Sequence, residues 1–114
     1  MKYDFDEHTK MAVWNAADRP DCLMDNHEYR QDVAGAYMKW SDYGNRDSDY
    51  GWEIDHIVPL SKGGTHDINN LQAMHWKNNL AKADNLRTFK PKVVGMWGKN
   101  RAPMYPNTEI PTSK

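Results

Sequence analysis

The pattern of apolar and polar positions predicts one helix near the start of the chain and two short strands before its midpoint. Residues 6–17 favour a helix, because Asp4 or Asp6 can cap it and good helix formers follow. Weak alternation predicts a short strand at 36–40. A second strand is predicted at 52–58, where a proline follows. Residues 22–34 stay ambiguous.

The second half of the chain predicts a loop, a helix and a tail. Residues 59–70 contain Gly63-Gly64 and read as a loop, whereas residues from about Met74 to Asn85 favour a helix. From Lys99 onward the chain carries three prolines and little apolar content. Such a composition is typical of an extended, flexible tail.

Length and composition predict one domain. The 114 residues fit a single domain at 1–101, with 102–114 as the flexible tail. No apolar run approaches the roughly 18 residues that span a bilayer, and residues 1–7 lack the apolar stretch of a signal peptide. Cys22 is the only cysteine, which excludes an internal disulfide. We therefore expect a cytoplasmic protein with no membrane partner.

Charge is distributed unevenly along the chain, although its net value is only −1. Residues 1–61 carry 6 Lys/Arg and 13 Asp/Glu, whereas residues 62–101 carry 8 Lys/Arg and 2 Asp/Glu. A polyanion such as DNA would be attracted to the second segment and repelled from much of the first. Ordinary solvated surface is the alternative explanation of this split.

One segment carries residues suited to hydrolytic chemistry. It contains Asp55-His56-Ile57-Val58-Pro59, then Asn69-Asn70-Leu71, then Asn78-Asn79-Leu80. Asn70 lies 14 residues after His56, and Asn79 lies 23 residues after it. This order and spacing resemble the HNH endonuclease motif, including the HNH domain of RNA-guided DNA nucleases. The resemblance covers roughly residues 52–84, and the stretch before it is similar to small stand-alone bacterial and phage HNH proteins.

The resemblance implies an α+β fold and a set of site residues. The expected architecture is a ββα-metal core at about 52–85, with the N-terminal helix and additional short strands around it. By resemblance, His56 is the general base and Asn70 positions it. Asp55 and Asn79 are the implied metal ligands. Their carboxylate and amide oxygens suit Mg²⁺ or Mn²⁺.

Two departures from other HNH proteins bear on stability and binding. Zinc-bearing relatives have CxxC pairs here, but this chain has His75 and Asn78 at one pair's positions. It must therefore stabilise the region by packing, and we expect His75 to be structural. For DNA contacts the basic segment offers Lys62, Lys77, Lys82 and Arg87.

These features predict a metal-dependent DNA endonuclease of a bacterial or phage-infected cell. A monomer with one site would nick one strand at a time, leaving 3′-hydroxyl and 5′-phosphate ends as the family implies. The alternative is a non-catalytic DNA-binding module that retains the fold.

One difficulty concerns the predicted strand at 52–58, because strand alternation places the side chains of Asp55 and His56 on opposite faces. Both can serve one site only if the strand ends or twists near His56.

Overall fold

A computed structural model describes residues 5–21 and 24–114 of the chain. This part contains two helices, α1 (Glu7–Ala16) and α2 (Trp76–Lys82). Its strands are β1 (Tyr29–Gln31), β2 (Tyr37–Lys39), β3 (Trp52–His56), β4 (Leu71–His75), β5 (Thr88–Phe89), β6 (Val94–Met96), β7 (Lys99–Arg101) and β8 (Ile110–Pro111). They form antiparallel pairs: β1 with β2, β3 with β4, β5 with β8 and β6 with β7. This mixed content is compatible with the α+β class. Neither described helix is long and apolar enough to cross a membrane.

The first helix agrees closely with its prediction at 6–17. Asp6 is the N-cap, and its carboxylate accepts a hydrogen bond of 2.7 Å from the backbone N–H of Thr9. Asp4, the alternative cap, lies outside the described residues, as does Cys22. At the other end of α1 the buried Arg30 guanidinium donates to three backbone carbonyls. These bonds satisfy carbonyl oxygens that the end of a helix leaves without a hydrogen-bond partner.

The apolar core joins α1 to the β3–β4 hairpin. Trp52 at the start of β3 is fully buried, and its ring lies 4.9 Å from that of Trp14 and 5.7 Å from that of Trp40, centroid to centroid. Offset and tilted ring pairs at this spacing are favourable beyond the area they bury. The remaining buried members of the cluster are Val13, Met38, Ile54, Leu71 and Ala73. This packing fixes the first half of β3, so that its last residues reach the rim of the core.

The β3–β4 hairpin leads directly into α2, giving the order strand, strand, helix. The register runs from Trp52 opposite His75 to His56 opposite Leu71. The strand predicted at 52–58 is confirmed as far as His56. The helix predicted from Met74 begins at Trp76 instead, because residues 71–75 form β4. His75 ends the strand and caps α2, its Nδ1 accepting from Lys77 N at 3.1 Å.

A buried polar network surrounds His75 and Asn78. The Asp32 carboxylate accepts hydrogen bonds from His75 N at 3.1 Å and Asn78 Nδ2 at 3.0 Å. Asn78 in turn donates to Val93 O at 2.9 Å. His75 and Asn78 are both fully buried, so they link β4 and α2 to segments far away in the chain.

Residues 110–112, which lie within the predicted flexible tail at 102–114, make specific contacts with β4 and β5. Ile110–Pro111 pairs with β5, and Thr112 is buried. The Thr112 carbonyl accepts a hydrogen bond of 2.6 Å from Gln72 on β4. These contacts join residues between 21 and 40 positions apart, which is why composition alone does not reveal them. The domain boundary at 101 stays a prediction.

Candidate active site

The last half of β3 and the middle of α2 face an open cavity of about 660 Å³. Asp55, His56 and Asn79 all line it, together with Glu53 and Arg46. The difficulty with strand alternation is reduced, because β3 ends at His56 and both Asp55 and His56 line the same cavity. Three of the four site residues that the HNH resemblance implies therefore line the same cavity.

His56 combines partial burial with a second imidazole. Its Nε2 lies 2.9 Å from Nδ1 of His66, and its ring lies 6.0 Å from that of Phe5, centroid to centroid. Burial lowers the pKa of His56 from its usual value near 6.5, and the nearby charges of His66 and Lys82 act in the same direction. His56 is therefore mostly neutral at neutral pH, which is the form that can accept a proton.

Asp55 is buried and receives hydrogen bonds on both carboxylate oxygens. Oδ2 accepts from Gln72 Nε2 at 2.9 Å, and Oδ1 accepts from Lys82 Nζ at 3.2 Å. Burial raises the pKa of Asp55, whereas the contacts with Gln72 and Lys82 oppose that rise. The carboxylate is thus oriented by two side chains from β4 and α2 before any ligand arrives.

The position of Lys82 corrects the expectation that it contacts DNA. Its side chain is fully buried, and Nζ pairs with Asp55 and also donates to the His56 carbonyl at 3.0 Å. An ammonium enclosed in this way cannot contact phosphate in this conformation. Sequence spacing placed Lys82 one turn beyond Asn79, but it could not show that this face of α2 points inward.

Asn79 contacts Glu53, a residue whose role the sequence left open. Asn79 Nδ2 donates to Glu53 Oε1 at 3.0 Å, and the Arg46 guanidinium donates to both Glu53 oxygens at 2.6 and 2.9 Å. The bond to Glu53 fixes the amide nitrogen, and the amide oxygen is the atom of Asn79 that can coordinate a cation. Strand alternation already placed Glu53 on the face of Asp55, which was the available signal.

Asn70 braces the loop after β3. Its Oδ1 accepts from Val58 N at 2.8 Å, and its Nδ2 donates to Val58 O at 3.0 Å and Thr65 O at 2.9 Å. Gly64 permits this close approach, since a Cβ there would lie 1.7 Å from the Val58 carbonyl oxygen. The side-chain bonds of Asn70 thus go to the loop, and any effect on His56 passes through the loop.

Comparison with known proteins identifies a family for the middle of the chain. The family model described as HNH endonuclease matches residues 42–85. This segment belongs to the HNH endonuclease family. Comparisons with curated proteins and with solved structures give no match. The matched HNH segment holds the three cavity residues and Asn70, whereas α1 and the strands from β5 onward lie outside it.

His66 is the residue of the HNH segment that sequence reasoning missed. It lies in the loop braced by Asn70, directly after Thr65, and its ring is 4.9 Å from that of His56, centroid to centroid. Nothing in the spacing of the HNH motif indicates that a histidine ten positions after His56 belongs to the site. The contact arises because the loop folds back over the end of β3.

The side chains of the cavity offer oxygen ligands for a metal ion. Asp55 and Asn79 supply one carboxylate and one amide, a set that suits a hard divalent cation completed by water. Among the described residues, no three or more His, Cys, Asp or Glu side chains cluster in a way that could hold a metal. Carboxylate and amide oxygens are ligands of hard divalent cations, whereas zinc sites use mainly nitrogen and sulfur ligands.

The remaining basic residues predicted for DNA contact are solvent-exposed. Lys62 lies in the loop after β3, and Lys77 lies on α2 with its Nζ 5.4 Å from the centre of the Trp76 ring. Arg87 lines a second open depression together with Lys90 and Lys92. All of these cations are available to a polyanion from solvent.

Proposed function

We propose that this protein is a metal-dependent DNA endonuclease that hydrolyses phosphodiester bonds and nicks one strand at a time. Membership of the HNH segment in its family indicates nuclease activity in general. The observation that carries the finer proposal is the meeting of Asp55, His56 and Asn79 at one open cavity.

His56 acts as the general base in this proposal. Its lowered pKa keeps the imidazole neutral at neutral pH, so that it can take a proton from the attacking water. Partial burial at the cavity wall restricts the ring, and His66 holds Nε2. Both effects favour one orientation of the base before substrate binds.

Asp55 and Asn79 hold the divalent ion, Mg²⁺ or Mn²⁺. When bound, such an ion would offset charge on the phosphate and on the departing oxygen. Gln72 and Lys82 orient the Asp55 carboxylate, and Glu53 orients the Asn79 amide. Because Lys82 already neutralises part of the Asp55 charge, we expect metal affinity to be modest.

DNA is the substrate that fits the exposed charge. Lys62 and Lys77 flank the loop and helix that carry the site, and Arg87 stands beside Lys90 and Lys92 at the second depression. Cations that displace counterions from phosphate would bind DNA with little sequence preference and with strong salt dependence. Lys82 is left out of this interface because it is buried.

The decisive experiment incubates supercoiled plasmid with chelator-stripped protein and one divalent metal at a time. We expect the nicked circle to appear first with Mg²⁺ or Mn²⁺ and linear DNA to follow. His56→Ala should reduce the rate by about 10²–10⁴-fold, as loss of a general base does. His27→Ala, which changes an exposed histidine outside the cavity, is the matched control.

Three outcomes would each contradict a part of the proposal. DNA binding without cleavage under every metal would favour a non-catalytic DNA-binding module. Cleavage by His56→Ala at the parental rate would remove His56 from the mechanism. Direct conversion to linear DNA at low protein concentration would contradict nicking by a monomer and indicate two coordinated sites.

A further inference from the structure

The turn between β6 and β7 presents a tryptophan to solvent in an unusual backbone conformation. Met96 pairs with Lys99, which leaves Trp97 and Gly98 as a two-residue turn with φ values of 55° and 81°. Positive φ at both positions is typical of a type I′ turn, where Asn-Gly is favoured. A bulky residue there is an outlier that calls for an explanation.

Packing of the indole does not provide that explanation. The Trp97 side chain is 84% exposed, more than Met104 at 78% or Tyr105 at 72%. A single exposed apolar side chain is common on protein surfaces, so exposure alone does not mark a binding site. The indole can act as a binding element only if the rest of the protein holds the backbone of the turn in place.

The backbone of the turn is anchored to the rest of the protein. Gly98 N donates to the Tyr37 hydroxyl at 3.0 Å, and the Tyr50 hydroxyl donates to Gly98 O at 3.3 Å. Asn100 Nδ2 donates to the carbonyls of Tyr37 and Asp49 at 3.0 and 2.7 Å. Since residues 49 and 50 belong to the HNH segment, the turn is fixed relative to the candidate active site.

The chain segment that contains the turn carries charged side chains of positive sign only. Residues 85–108 contain no Asp or Glu and carry five cations. These are Arg87, Lys90, Lys92, Lys99 and Arg101, all exposed. Lys99 and Arg101 lie on β7, immediately after Trp97. Along the chain the indole is flanked by cations that complement a polyanion. In space, the Asp21 carboxylate also lies near the turn, because it accepts from the Tyr37 hydroxyl that binds Gly98 N.

We propose that Trp97 is a DNA-stacking element, whose indole packs on a base that is exposed in single-stranded or locally distorted DNA while Lys99 and Arg101 contact the adjoining phosphates. Aromatic side chains in a cationic setting bind single strands in this way. A perfect duplex covers its base faces by stacking, so it offers the indole no partner without distortion. The inference rests on the proposed function and assigns a preference for DNA structure to it.

The test measures the affinity of the His56→Ala protein, which is expected not to cleave, for three labelled oligonucleotides of one sequence. They are a single strand, a duplex with an unpaired bubble and a perfect duplex. Adding Trp97→Asn should weaken binding to the first two by about 10-fold or more, as loss of one stacked base does. Binding to the perfect duplex should change little. Trp97→Phe should retain most of the affinity, because a phenyl ring still stacks.

Protein stability separates a lost contact from a damaged fold. Asn tolerates positive φ better than Trp does, so Trp97→Asn should leave the free energy of unfolding unchanged or raise it. Met11→Ala removes another exposed apolar side chain, on α1, and is the matched control for affinity. Weaker binding together with equal or higher stability is the result expected for a binding residue.

Two results would overturn the inference without touching the proposed endonuclease, and a third would do the reverse. If Trp97→Asn binds each of the three oligonucleotides as tightly as its parent does, and the parent nicks plasmid, the stacking contact is excluded. Loss of self-association in Trp97→Asn with unchanged DNA affinity would instead identify a second copy of the chain as the occupant. Failure of the parent to cleave while Trp97-dependent binding persists would reject the nuclease and retain the stacking element.

Discussion

Nε2 of His56 and Nδ1 of His66 lie 2.9 Å apart, so the two imidazoles share a hydrogen bond at the edge of the candidate active site. One nitrogen must carry the proton and the other must accept it. His66 therefore influences both the orientation and the tautomer of the proposed base. Its loop is held in turn by Asn70, which donates to the Thr65 carbonyl at 2.9 Å.

We expect His66 to be a positioning residue. His66→Ala should lower kcat for plasmid nicking by about 10-fold or more, because a misplaced base costs rate, and should leave KM nearly unchanged. His66→Asn should recover part of the rate, since its amide can replace Nδ1. Steady-state kinetics on supercoiled plasmid measures both parameters. His66→Ala with parental kcat, or a change confined to KM, would contradict a positioning role.

Cleavage should depend on pH through His56. The base works only when deprotonated, and its pKa is lowered below the usual 6.5, first by burial and then by the charges of His66 and Lys82. The rate should therefore stay constant as pH falls from neutrality, and should decline only below about 6.5. Single-turnover rates at saturating metal across this range check the prediction. A decline that begins above neutral pH would mean that His56 has a raised pKa or is not the base.

Local signals in the sequence were sufficient for α1 and for β3 as far as His56. Asp6 caps α1 through a contact three residues away. The HNH resemblance singled out Asp55, His56 and Asn79, and these three residues line one cavity. Each of these features can be recognised in a short stretch of sequence without knowledge of the tertiary structure.

Long-range contacts explain what the sequence did not reveal. β4 carries the buried Leu71 and His75 and needs β3 as its partner, and β8 pairs across more than twenty residues with β5. In the sequence Lys82 resembles a surface cation, but in the fold the β3–β4 hairpin and α2 enclose it. His66 enters the site only because its loop folds over His56. None of these positions has a local pattern of its own.

The buried pair of Asp55 and Lys82 should matter strongly for stability. Lys82→Ala would leave Asp55 buried without its cation, and loss of one partner of a buried pair costs about 3–5 kcal/mol. The double variant Asp55→Asn with Lys82→Met should lose less, because no unpaired charge remains. Urea denaturation measures these differences. Lys77→Ala on the exposed face of the same helix should change the free energy of unfolding by less than about 0.5 kcal/mol.

A result near zero for Lys82→Ala would show that Asp55 finds another partner or takes up a proton. The pH dependence of stability separates these two explanations, because protonation of a carboxyl with a raised pKa becomes easier as pH falls. Equal effects of Lys82→Ala and Lys77→Ala on DNA affinity, with unchanged stability, would restore Lys82 to the DNA interface.

Asn70 should act through the loop and not through direct contact with substrate. Asn70→Ala removes the side-chain bonds to Val58 and Thr65, so exchange of the Val58 amide hydrogen should accelerate and cleavage should slow. Asn69→Ala changes the exposed neighbour and is the matched control. Hydrogen exchange followed by mass spectrometry reports the loop, and plasmid nicking reports the site. Slower cleavage with unchanged exchange would place Asn70 in the chemistry itself.

Metal preference provides the last prediction. Asp55 and Asn79 offer oxygen ligands, so Mg²⁺ should restore nicking to chelator-stripped protein, and Mn²⁺ should do so at least as well because it accepts less ideal geometry. Zinc should support little turnover. It prefers imidazole nitrogen, and His56 and His66 present two imidazoles at the rim of the site, whereas His75 is fully buried. Added zinc should therefore inhibit the Mg²⁺-supported reaction, and His66→Asn should need more zinc for the same inhibition. Full activity with zinc alone, and none with magnesium or manganese, would show that the ligand set is wrong.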